Sequence, residues 1–143
     1  MYLLDTVTVS ELRKGQDRAD PGVVEWNATV TADHTHLSVV TLRELRTGAL
    51  LVDRRDRRSG SVLLRWVDQV AEAYADRLLP IDAAIAEVCA AMHVPDLRPA
   101  EDAWIAATAS VHGLTVVTRN TTDYAPMDVS VHNPWQRSDD QLS

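Results

Sequence analysis

Four acidic residues stand where a folded α/β chain could gather them. Asp5 ends the strand-like run Tyr2-Leu3-Leu4-Asp5, and Glu44 lies in Leu42-Arg43-Glu44-Leu45-Arg46, just after a second strand-like run. Asp102 opens the helical segment Asp102-Ala103-Trp104-Ile105-Ala106-Ala107-Thr108-Ala109, and Asp123 follows Leu114-Thr115-Val116-Val117-Thr118-Arg119-Asn120. Open α/β sheets collect ligands outside the carboxyl ends of their strands. Carboxylates meeting there from distant parts of a chain make an all-oxygen pocket suited to a hard divalent cation. Each acid also has a purely local use: Glu44 can close a capping box with Thr41, Asp102 can complement a helix N-terminus, Asp5 can cap the loop after it and Asp123 can shape a turn. Spacing alone leaves both readings open.

Rival chemistries have weaker footing. The one cysteine, Cys89, cannot form an internal disulfide and reads as a small apolar side chain in a helix. His34 and His36 could share a strand face, but no Cys or His group has zinc-site spacing. The chain lacks the Gly-x-Ser-x-Gly turn of serine hydrolases and any Gly-rich phosphate loop. A haloacid-dehalogenase-type phosphatase needs a second aspartate two residues after Asp5, where Val7 stands.

The elements that must position the acids follow from periodicity and capping. Residues 2–5 read as a short buried strand. Thr8-Val9-Ser10-Glu11 has capping-box spacing, which predicts a helix to about Arg18. A second helix carries Val23, Val24 and Trp26 after Asp20-Pro21-Gly22. His36 to Val39 reads as a strand, and Thr41 to about Val52 as a helix opened by the Thr41/Glu44 box. Ser61 to about Arg77 has helical apolar spacing. Leu78-Leu79-Pro80-Ile81 suits an edge strand, because proline cannot donate to a ladder. Asp82 caps a helix to about Met92; Asp102 to His112 is another, ended by Gly113. Thr115–Thr118 and Val129–Val131 read as strands. Short strands alternating with helices imply a three-layer α/β/α domain with a mainly parallel central sheet.

Size and charge set outer bounds. At 143 residues one domain is expected, spanning 1–135, with a polar tail at 136–143. Net charge is −7, from 14 basic and 21 acidic residues. That excludes a nucleic-acid coat protein with a broad basic face, but not a nuclease, because a bound cation turns local acidic charge positive. Arg54, Arg55, Arg57 and Arg58, with Arg43, Arg46 and Arg65 near them, read either as a solvated loop between helices or as a phosphate-steering patch. Trp26, Trp66, Trp104 and Trp135 read as core or interface anchors; Trp66 and Trp104 lie on helices that could line a groove for a partner helix. No stretch is apolar enough to cross a membrane and no leader is visible, so a cytoplasmic chain is expected.

Five segments in order resemble the PIN-domain family, with the VapC and FitB-like toxins as the nearest look: Leu3-Leu4-Asp5-Thr6; Ser38 to Gly48; Asp102 to Ala109; Leu114 to Asn120; and Asn133-Pro134-Trp135. The resemblance implies a Mg²⁺- or Mn²⁺-dependent endoribonuclease. It also implies a homodimer silenced by a cognate antitoxin, cutting RNA to leave a 5′-phosphate and a 3′-hydroxyl. On it, Asp5, Glu44 and Asp102 match the first three acidic positions. The fourth position falls on Asn120, with Asp123 three residues on, so Asp5, Glu44, Asp102, Asn120 and Asp123 are the expected metal ligands. Asp5, Glu44, Asp102 and Asp123 are the expected catalytic set, with Thr6, Ser38 and Thr118 orienting them. The chain departs from the family pattern in reading Asp5-Thr6-Val7 where relatives commonly have Asp-Thr-Asn, in Asn120 itself, and in a short segment before Asp102. Val7 and Asn120 support a rival: a catalytically weak PIN-like module that binds a DNA-binding antitoxin in autoregulation. A metal-dependent phosphodiesterase acting on DNA is a third reading.

Overall fold

The computed structural model describes residues 1–135; the tail expected from Gln136 lies outside the described residues. Five strands, β1 (Tyr2–Leu4), β2 (Thr35–Ser38), β3 (Leu78–Leu79), β4 (Thr115–Val117) and β5 (Val131–His132), form one sheet of order β3-β2-β1-β4-β5. Every neighbouring pair is parallel, with Leu3 opposite His36 on one side and Val116 on the other. Parallel neighbours need crossovers, and helices supply them. Helices α1 (Thr6–Arg13) and α2 (Pro21–Thr29) link β1 to β2; α3 (Val39–Arg55) and α4 (Arg57–Ala73) link β2 to β3. Helices α5 (Ala83–Met92) and α6 (Ala100–His112) link β3 to β4, and α7 (Thr121–Tyr124) leads towards β5.

The strands are apolar on both sides, and their alternation feeds two cores. Leu3 and Val116 pack with Ile85, Cys89, Ile105 and the alanines of α6. Leu4, Leu37 and Val117 pack on the opposite face with Val9, Leu45, Ala49 and Val67. The α/β/α sandwich is therefore as expected. Cys89 is buried in α5 as a small apolar group. Leu3 and Leu4 are almost wholly buried, each worth about 1.5–3 kcal/mol.

Several element starts differ from expectation; in α1 and α3 the reason is that a strand-end side chain caps the helix directly. Asp5 accepts the Thr8 N–H at 3.0 Å, so α1 begins at Thr6. The expected Thr8/Glu11 box does not form; Glu11 instead accepts from Lys14 Nζ at 3.0 Å and the Asp20 N–H at 3.2 Å. Helix α1 stops at Arg13 rather than near Arg18, and Gly15 follows with φ +80°. Ser38 Oγ accepts the Val40 N–H at 3.0 Å and starts α3 at Val39, which places Thr41 and Glu44 inside the helix. Asp56 accepts from the N–H groups of Arg58 and Ser59 and starts α4 at Arg57. The four-arginine run is thus the end of α3 and the start of α4, not a loop. Helix α6 begins at Ala100, two residues before Asp102. Strand β5 is Val131–His132 instead of Val129–Val131, and α7 was not anticipated. His34 lies in a short 3₁₀ turn, off the strand that carries His36.

Helices α3 and α4 form a tight antiparallel hairpin, tied by Arg46 to Asp68 at 2.8 Å. A Cβ on Gly60 would fall 2.1 Å from Asp53 Cα, so only glycine fits that crossing. Among the described residues no helix is long and apolar enough to cross a membrane.

Candidate active site

The parallel sheet brings the carboxyl ends of β1, β2 and β4 to one edge. Asp5 stands just past β1, buried, at the N-cap of α1. Its Oδ1 accepts the Thr8 N–H at 3.0 Å and lies 3.1 Å from the Thr8 hydroxyl, whose single proton is shared with a second acceptor. Thr8 Oγ1 also lies 2.8 Å from the Val117 carbonyl, which ties the first acid to the end of β4. Glu44 lies on α3, half-buried, and accepts the Thr6 hydroxyl at 2.8 Å. Asp102 lies in the first turn of α6, half-buried, with the Tyr124 hydroxyl 3.4 Å from its Oδ1, a long contact.

The electrostatics tie the three acids to one cleft. Burial lifts the Asp5 carboxyl above its ordinary value, and hydrogen bonds from Thr118 and Thr8 offset part of that. Burial also lifts Glu44; the Thr6 hydroxyl opposes the shift, and repulsion from Glu101 and Asp102 adds to it. Asp102 is lifted first by burial, then by the charges of Asp123 and Asp5. Tyr124 is held strongly protonated by burial and by the charges of Asp5, Asp102 and Glu44 together. One hydroxyl thus senses all three acids. Arg43 pairs with Glu101 at 2.8 Å on the rim.

The expected companions occupy distinct places. Asp123 is exposed on α7 and acts on Asp102 through its charge. Asn120 is exposed, and its N–H donates to Thr118 Oγ1 at 3.0 Å. Ser38 Oγ caps α3. Val7 faces solvent, 36% exposed. The sequence reading missed Tyr124, Thr8 and Thr41, whose Oγ1 lies 3.5 Å from Thr6 Oγ1. In the sequence the signal for Tyr124 was a lone aromatic in the polar run Thr121-Thr122-Asp123-Tyr124; the structure buries it wholly.

The donor set is the kind a hard divalent ion takes: all oxygen, anionic, and raised in pKa by burial and mutual charge. The side chains are not drawn in around a point. Among the described residues no group of three His, Cys, Asp or Glu side chains stands at the separations of a completed metal site. Each acid instead turns to its own donor: Asp5 to Thr8, Glu44 to Thr6, Asp102 to Tyr124. Glu44 and Asp102 are half-buried, and Asp5 is buried.

Comparison with known proteins points the same way. Residues 2–125 match the family model described as PIN domain. The chain is 36% identical over 143 residues to "Toxin FitB" of Neisseria gonorrhoeae, covering 94% of this chain and 99% of the relative. It is 31% identical over 141 residues to "VapC ribonuclease Y4jK" of Sinorhizobium fredii, covering 95% and 99%. Among solved structures, "Structure of FitAB bound to IR36 DNA fragment" superposes with TM-score 0.82 at 33% identity, covering 96% of this chain and 98% of that one.

Proposed function

The chain belongs to the PIN-domain family, and on that premise we propose that it is the toxin of a toxin–antitoxin pair, a Mg²⁺- or Mn²⁺-dependent endoribonuclease. The observation that supports the proposal is that Asp5, Glu44 and Asp102, from three separate elements, lie near enough for the charge of Asp102 to bear on Glu44 and that of Asp5 on Asp102, although the side chains do not converge on one point. The relatives' printed names, a toxin and a ribonuclease, support the same activity.

In this reading Asp5, Glu44 and Asp102 hold the cation, with Asp123 or Asn120 completing the site. When bound, such an ion lowers the pKa of water and stabilises charge on phosphodiester oxygens. The protein's own part is to aim the acids. Thr8 fixes Asp5, and its hydroxyl joins that acid to the end of β4. Thr6 fixes Glu44, and Thr41 stands behind Thr6. Tyr124, kept protonated, offers Asp102 a donor and never a competing charge. A cognate antitoxin that presents basic side chains to the cleft would answer the same carboxylates, and a homodimer accords with the family.

The test is direct. Asp102→Asn keeps the shape of the side chain and removes one anionic ligand. We expect it to abolish metal-dependent RNA cleavage while leaving the far-ultraviolet circular dichroism unchanged. Cleavage by the variant at the parent rate would discard this site. The open spacing of the acids and the presence of Asn120 support a second reading, a weak or inactive module that acts by binding a DNA-associated antitoxin. Titration with Mn²⁺ followed by RNA cleavage separates the two: no cleavage by the parent chain at saturating ion favours the binding module.

A further inference from the structure

We infer that a basic groove leading away from Glu44 is the track of the single-stranded RNA substrate, with a phosphate-binding pocket at its far end. This rests on the ribonuclease reading and extends it to the path of the strand. Two adjoining cavities make the groove. The first, about 320 Å³, begins at Thr6 and Glu44, runs over Gly48, and reaches Arg13 and Trp66. The second, about 400 Å³, continues from Arg13 and Trp66 to Lys14, Arg18 and Arg65. Arg13 and Trp66 line both, so the two cavities adjoin at these side chains.

The chemistry changes along the track in the sense a nucleic acid needs. At one end is Glu44, one acid of the candidate active site. At the other are four cations in a chain whose net charge is −7. Lys14 pairs with Glu11, but Arg13, Arg18 and Arg65 form no ion pair among the described residues. Three guanidinium groups left without anions, gathered from α1, the segment after it and α4, fit backbone phosphates in bidentate fashion. The Arg13 guanidinium lies 5.5 Å from the centre of the half-buried Trp66 ring. The indole packs against the core on α4 and holds that cation where the two cavities adjoin. Arg58 continues the stripe of Val62, Arg65 and Gln69 at helical spacing, which extends positive charge towards the hairpin tip. Gly48 leaves the middle open: a Cβ there would meet nothing within 4 Å.

Binding is measured on the Asp102→Asn background in EDTA, so that no strand is cut and one repelling charge is gone. The probe is a fluorescein-labelled single-stranded RNA of about 12 nucleotides, followed by anisotropy from about 50 to about 200 mM salt. Adding Arg13→Ala, Arg18→Ala and Arg65→Ala is expected to weaken binding at least about tenfold. The slope of log affinity against log salt should flatten by about 2, at roughly 0.7 per lost phosphate contact. Gly48→Leu, at an exposed position where a Cβ meets nothing within 4 Å, adds bulk along the groove and is expected to weaken the same binding several-fold with no fall in melting temperature. RNA bound by both variants with unchanged affinity and slope overturns the proposal, as does failure of the background protein to bind RNA. If the arginine substitutions release polyglutamate and leave RNA binding intact, the pocket takes an acidic peptide and the RNA track falls. None of these outcomes depends on cleavage, so loss of the nuclease reading would be seen separately, in the parent chain.

Discussion

At the scale of single residues, the candidate site works through hydroxyls that hold carboxylates. Thr6 shows this best, since its hydroxyl is the hydrogen-bond donor to Glu44. Thr6→Val keeps the shape and removes the donor. Loss of such a supporting hydrogen bond is expected to lower RNA cleavage by roughly 10–100-fold, measured as kcat/KM. The melting change should stay within about 1 kcal/mol, because a half-buried pair contributes little net stability. The raised carboxyls give a second, pH-based test. Asp5 binds its proton more tightly in the folded chain than in the unfolded one, chiefly through burial. Its contribution to stability is therefore fully present below the unfolded carboxyl value, about pH 3.9, and is lost as pH rises through the higher folded value. Glu44 and Asp102 carry the same sign, and the three titrate as a coupled set. Urea midpoints in EDTA should fall from the acid side of that window towards neutral pH. Asp5→Asn, which remains a good N-cap, should flatten that fall; an equally steep profile in the variant would remove Asp5 as its source. Of this site, the three acids were legible because each sits at a strand end or helix start next to a recognisable local motif. Tyr124 and Thr8 were not, because they act across the fold: Tyr124 reaches Asp102 from 22 residues away, and Thr8 reaches Val117 from 109.

At the scale of elements, the α3–α4 hairpin carries both Glu44 and one wall of the proposed RNA track, so its packing governs the site. Its two glycines make opposite predictions. Gly60 meets the Asp53 backbone, which cannot move aside like a flexible side chain, so Gly60→Ala should destabilise by about 1–3 kcal/mol despite alanine's better helix propensity. Gly48 meets nothing, so Gly48→Ala should stabilise by up to about 1 kcal/mol. Thermal melts of the pair decide it: two shifts of the same sign would mean that the hairpin does not cross where described. The hairpin also shows what periodicity can and cannot reveal. Helical spacing from Val62 to Tyr74 marked α4 clearly, and the apolar runs marked β1, β2 and β4. The start of α4 was missed because Asp56 both ends one helix and caps the next, leaving no loop composition to notice. The starts of α1 and α3 were misplaced for a related reason. In each, a capping-box pattern inside the helix competed with a strand-end Asp or Ser that caps it directly, and the strand fixed which one won.

For the whole molecule, the same acids that make the site weaken the fold. Three raised carboxyls in one cleft mean that folding brings like charges together and takes them out of water, at a cost that a counter-ion would remove. An ion that binds only the folded chain stabilises it by mass action, by about 2.7 kcal/mol at a hundredfold excess over its dissociation constant. For a chain of this size that corresponds to a melting rise of roughly 5–15 °C. Scanning fluorimetry of the parent chain in EDTA and in saturating Mn²⁺ should show this rise. Asp102→Asn should melt above the parent in EDTA, since one repelling charge is gone, and should gain much less from Mn²⁺. Those two shifts belong together. A variant that melts below the parent in EDTA, yet gains as much from the ion, would mean that Asp102 serves the start of α6 and not a shared cation. The paired shifts would tie fold to the proposed function: a charge that lowers the stability of the fold in EDTA would be the same charge through which the ion raises it.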